Sequence, residues 1–122
     1  MTKDKQQKKQ DILVNAIIKS IQEKKGEQIV AINFANIKNS VCDYFIICQA
    51  NSKIQVQAIS ESVIEKVKEI TGIKPLNTEG FQNAEWILLD YFDVVVHVFQ
   101  KDIRKFYKLE NLWADALIKK IE

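Results

Sequence analysis

The run Asp43-Tyr44-Phe45-Ile46-Ile47-Cys48 is the feature that most limits the fold. It is nearly continuous in apolar residues and flanked by polar ones, the pattern of a central strand covered on both faces or nearly so. Such a strand needs neighbours. Gln28-Ile29-Val30-Ala31-Ile32-Asn33, short and β-branched, supplies one, with a polar link from Asn36 to Ser40 between the two. Residues 84–99 supply two more, Ala84–Asp90 and Val94–Phe99, around a turn at Tyr91-Phe92-Asp93 short enough for an antiparallel hairpin.

Helices to cover this sheet follow from three- and four-residue spacing. From Asp11 to about Lys25, Leu13, Val14, Ile17, Ile18 and Ile21 form one apolar face, and Gly26 is placed to stop the helix. Ser52 and Gln55 have the spacing of a capping box and open a second helix. Behind them Val56, Ile59, Val63, Val67 and Ile70 make a core stripe that ends at Gly72, with Pro75 beyond. A helical turn is expected near Asp102 to Phe106, then a last helix with Leu109, Leu112, Trp113, Ala116, Leu117 and Ile121 inward. The order predicts an α/β fold of the α+β type: one mixed sheet with helices mainly on one face.

Composition narrows the function. The 122 residues fit one domain, and 47% hydrophobic with 28% charged residues is ordinary for a folded soluble protein. Gly26, Gly72 and Gly80 are the only glycines and are too scattered for a dinucleotide or Walker phosphate turn. Cys42 and Cys48, both in an apolar setting, with the single His97, make a poor zinc set and read as buried free thiols of a cytoplasmic protein. No stretch is apolar enough to span a membrane. The net charge of +2 divides unevenly: residues 1–10 carry Lys3, Lys5, Lys8 and Lys9 against one aspartate, while the rest of the chain is close to neutral. Residues 1–10 therefore read as a lysine-rich flexible tail, and residues 11–122 as the single folded domain.

Two chemistries compete for the remaining residues. Asp43, Asp90 and Asp93 stand at strand ends, where three carboxylates can hold Mg²⁺ for phosphoryl transfer to or from a nucleotide; turn-flanking aspartates also have the ordinary task of bonding backbone amides. Between Lys74 and Lys101 the chain has no lysine or arginine, but it has four acids and five aromatics: Phe81, Trp86, Tyr91, Phe92 and Phe99. Aromatics ringed by acids suit docking to a basic protein. Alternation puts Ala84, Trp86, Leu88 and Asp90 on one face and Glu85, Ile87 and Leu89 on the other, without saying which is inside. Trp86 is thus a docking residue or a core residue, and His97, sharing a face with Val95 and Phe99, a packed or interface histidine.

Taken together, the 42–48 run, Asn51-Ser52 with Gln55–Ile59, Glu79-Gly80, Trp86–Tyr91, Asp93–Phe99 and Tyr107–Trp113 resemble the ribosomal silencing factor RsfS (Iojap) family in order and spacing, over residues 11 to 118. The resemblance implies a nucleotidyltransferase-like fold without transferase activity or cofactor. It also implies binding to the large ribosomal subunit through ribosomal protein uL-fourteen, steric blocking of small-subunit joining, and lowered translation in starved or stationary cells. Family members often form homodimers. Carried onto this chain, the partner-binding residues are Trp86, Asp90, Tyr91 and Asp93, then Val96 and His97; the N-terminal lysines are candidates for ribosomal RNA. Phe92 stands where the family often has Gly. A tight primed turn needs positive φ there, which Phe disfavours, so the hairpin is expected to turn another way.

Overall fold

The computed structural model describes residues 2–34, 37, 42–107 and 117–121. Among them are helices α1 (Thr2–Glu23), α2 (Lys53–Thr71) and α3 (Lys101–Tyr107). The strands are β1 (Glu27–Asn33), β2 (Tyr44–Ala50), β3 (Asn77–Glu79), β4 (Trp86–Asp90), β5 (Val94–Gln100) and β6 (Leu117–Ile121). They form one mixed sheet in the order β3-β4-β5-β2-β1-β6. The 43–48 run is central, as its composition requires. Strand β2 pairs in parallel with β5, Tyr44 opposite Val94, and antiparallel with β1. The hairpin β4–β5 sets Trp86 opposite Phe99 and Asp90 opposite Val95.

Helices α1 and α2 pack on one face of this sheet. Ile17 and Ile21 of α1 and Val56, Ile59, Val63 and Val67 of α2 are fully buried against Ile46, Cys48, Ile87, Leu89, Val94, Val96 and Val98. Removing each such side chain from water contributes about 1.5–3 kcal/mol, so packing rather than helix propensity holds these helices. The Ser52 hydroxyl caps α2 by accepting from the Gln55 amide at 3.1 Å, and the Gln55 side chain reaches back to the Asn51 amide at 3.3 Å. Gly72, at φ 76°, closes the helix.

The structure departs from or adds to the expectations in four places. Helix α1 begins at Thr2, so Lys3, Lys5, Lys8 and Lys9 fall in its first turns. Its stop is a Schellman turn in which Lys25 takes the left-handed conformation (φ 61°) and Gly26 donates to the Ile21 carbonyl; Gly26 is needed because a Cβ would meet the Ile21 side chain. Leu117 and Ile121 belong to an edge strand, antiparallel to β1, instead of a helix. Their i, i+4 spacing fits a helix, yet the open edge of β1 offers backbone partners no local pattern reveals. Leu109, Leu112, Trp113 and Ala116, and the 36–40 link apart from residue 37, lie outside the described residues. Finally, α3 lies on the opposite face of the sheet from α1 and α2. Its Ile103 packs with Phe45, Ile47 and Phe99, and its buried Arg104 donates to the Gln28 carbonyl and the Gln49 side chain. No described helix is long and apolar enough to cross a membrane.

Candidate docking surface

The face opposite α1 and α2 is built from aromatics. Alternation along β4 and β5 sends Ile87, Leu89, Val94, Val96 and Val98 to the helix side. Trp86, Leu88 and Asp90 then share the other side with Val95, His97 and Phe99. Ala84 breaks the pattern: at φ 51° it turns into the helix-side core, and the regular strand starts at Trp86. The indole of Trp86 stacks on Phe99 at 4.8 Å between ring centroids, and its Nε1 donates to His97 Nδ1 at 3.0 Å. Beneath them Phe45 meets His97 edge-on at 4.5 Å and Phe34 at 4.9 Å. Trp86 is thus a wall of this cluster, its ring half-buried.

His97 is buried, and burial pulls its pKa down to about 3. With Nδ1 accepting from Trp86, the proton of the neutral ring sits on Nε2, which is buried without a partner. Val96 is fully buried among the helix-side residues, Tyr91 is 5% exposed and His97 3%. None of these three presents a side-chain surface to a partner, and Val96 faces away from the aromatic side altogether. The surface of the candidate set is carried by Trp86, Asp90 and Asp93.

The hairpin tip brings the aspartates near one another. The Asp93 carbonyl accepts from the amides of Asp43 at 2.8 Å and Tyr44 at 3.1 Å, which joins the start of β2 to the tip. Asp93's carboxyl lies above the usual carboxylate range, first through partial burial and then through the charge of Asp43. The Asp43 carboxylate accepts from Gln10 Nε2 at 2.7 Å, tying α1 to this end of the sheet. Asp90 is occupied locally, its Oδ1 accepting from the Phe92 amide at 2.8 Å. The side chains of Asp43 and Asp90 and the backbone carbonyl of Asp93 thus each hold local structure, and among the described residues no three His, Cys, Asp or Glu side chains form a metal set. The cysteines are buried free thiols, with burial raising Cys42 to about 11 and Cys48 to about 12.

The turn is the one part of the site that pattern reading misjudged. Tyr91 N–H donates to the Val94 carbonyl and Asp93 N–H to the Tyr91 carbonyl, with Phe92 between them at φ 75°. Positive φ is present despite the phenylalanine. Those two backbone bonds and the Asp90 side chain over-determine the conformation. The ring of Phe92 is 71% exposed and forms a wall of a cleft of about 510 Å³ between the tip and α1. The sequence places Phe92 among the aromatics of this acid-rich stretch and marks it as a departure at the turn, without setting it among the partner-binding residues.

Comparison with known proteins decides the family. Residues 5–122 match the family model described as ribosomal silencing factor during starvation, RsfS. The chain belongs to the RsfS family. It is 45% identical over 104 residues to the ribosomal silencing factor RsfS of Halalkalibacterium halodurans, covering 85% of this chain and 87% of that protein. The Bacillus subtilis RsfS is 48% identical over 94 residues, 77% of this chain and 78% of that one. Among solved structures, a Chromobacterium violaceum protein superposes with a TM-score of 0.78 at 33% identity, covering 83% of this chain and 82% of its own. A Bacillus halodurans protein gives 0.73 at 42%, covering 90% and 96%. RsfS membership supports a general role in ribosomal silencing.

Proposed function

We propose that this RsfS protein acts by docking, not by chemistry. On this reading the open side of β4 and the hairpin tip seat on a basic protein of the large ribosomal subunit, ribosomal protein uL-fourteen, and the bound domain excludes the small subunit. The observation that carries it is the row Trp86, Leu88 and Asp90, partly exposed on the aromatic face and leading to Asp93 at the tip, in a stretch devoid of lysine and arginine. Complementary charge steers the encounter, and the desolvated indole supplies lasting affinity. The nucleotidyltransferase-like fold that the resemblance implies fits this reading as a scaffold kept for its surface. Lys5, Lys8 and Lys9 sit at helical spacing on exposed turns of α1 and are suited to phosphates of nearby ribosomal RNA.

Co-sedimentation with separated subunits tests the proposal. Binding to large subunits alone, with fewer joined ribosomes when small subunits are added, is the expected result. Binding to neither subunit, or joining that proceeds unhindered with the protein bound, would refute it.

A further inference from the structure

Phe92 is costly in two independent ways. Its ring is 71% exposed, and its backbone holds a left-handed φ of 75° that glycine adopts without steric penalty. Nothing in the fold repays this, because a ring so exposed adds little to the core. Around it lie two more exposed apolar side chains. Ile73, 40% exposed, lines the same cleft as Phe92. Leu76, 70% exposed, is held by its amide to the Asp90 carbonyl at 2.7 Å. Asp43 and Asp93 line the cleft beside Phe92, and Lys9 is the one cation among its lining residues.

We infer that Phe92, flanked by Leu76 and Ile73, is a second contact point of the docking surface, an apolar knob that seats on the same basic ribosomal protein as Trp86. This rests on the docking reading above and extends it to residues outside the candidate set. Two features favour a basic protein surface as the occupant. The knob is bordered by carboxylates, and Asp90, whose side chain pins the Phe92 amide, is also the last residue of the Trp86–Leu88–Asp90 row. Row and knob thus meet at Asp90, the ring on the α1 side of the tip and the row on the opposite face, so that a partner gripping the tip meets an aromatic from each side with acids between them.

Phe92→Gly separates binding from folding, since it removes the ring while easing the backbone. The variant is expected to unfold at or above the wild-type temperature and to bind large subunits about tenfold more weakly; Phe92→Tyr, which keeps the ring, retains binding. Wild-type affinity in Phe92→Gly overturns the inference and leaves the docking reading standing. A clear drop in its melting temperature also overturns it, because the ring then serves the fold. Wild-type protein that fails to bind large subunits overturns the docking reading and this inference with it.

Discussion

Nε1 of Trp86 donates to Nδ1 of His97 across the β4–β5 hairpin at 3.0 Å. This bond turns the indole N–H inward, so the interior of the sheet orients the candidate docking anchor. It also fixes the histidine's tautomer. The consequences for stability are separable from those for binding.

Truncating the indole removes the stack on Phe99 and the bond to His97 together. Trp86→Ala is expected to cost about 2–4 kcal/mol of stability, below the full penalty of a core tryptophan because the ring is half-buried. Trp86→Phe keeps the stack and loses only the N–H, for about 1–2 kcal/mol. Urea denaturation of both variants checks the order, and an unchanged midpoint for the alanine variant would show the ring lies outside the fold. Binding is therefore best read on the phenylalanine variant.

Stability falls on acidification through His97. Its folded pKa is depressed to about 3 by burial, whereas the unfolded chain titrates near 6.5. Between those values the unfolded chain takes up a proton that the folded protein does not, so stability present above pH 6.5 is lost as the pH drops, at up to about 1.4 kcal/mol per pH unit. Asp93 has the opposite sign: its raised folded pKa opposes the loss, but only in the acid carboxylate range. Denaturation midpoints measured from pH 7 to pH 5 should show the slope, and His97→Gln should flatten it.

Two glycines with left-handed backbones should respond differently to the same substitution. At Gly72, φ 76°, an added Cβ meets nothing, and Gly72→Ala costs about 1 kcal/mol from the backbone alone. At Gly80, φ 88°, the Cβ collides with the Trp86 carbonyl oxygen, a backbone atom that cannot swing aside. Gly80→Ala is expected to cost about 2 kcal/mol or more. Equal melting temperatures for the two variants would contradict the close approach.

The Tyr91 hydroxyl is buried without a hydrogen-bond partner, and burial lifts its pKa to about 12. An unpaired buried hydroxyl is a burden on the fold. Tyr91→Phe is accordingly expected to be neutral or to stabilise by up to about 1 kcal/mol in thermal or urea denaturation. A loss of stability would mean that the hydroxyl is satisfied.

Pattern reading reached most of the fold and little of the site's exposure. The 43–48 run, the capped α2 stripe and the hairpin were plain because each is set by neighbours within one turn or one strand. Strand β6 was missed because its partner is the distant edge of β1. Within the site, the resemblance named Trp86, Asp90, Tyr91 and Asp93 and then Val96 and His97, and the structure leaves Trp86, Asp90 and Asp93 at least partly exposed while burying the other three. Alternation alone turns Val96 away from His97, but which of the two faces α1 and α2 cover is not a local property.

What the sequence determined by itself was composition along the chain: where apolar stripes run, where acids and aromatics crowd without lysine or arginine, and which family has that order of motifs. The tertiary structure alone decided which face of β4 the helices α1 and α2 cover, that α3 crosses to the other, and that Trp86 bonds inward to His97. It also decided that Phe92 stands exposed in a left-handed turn. The physical reason is one of range. Periodicity, capping and the bonds that hold the Phe92 turn act over a few residues, but which faces are buried and which side chains stay exposed depend on segments brought together from distant parts of the chain.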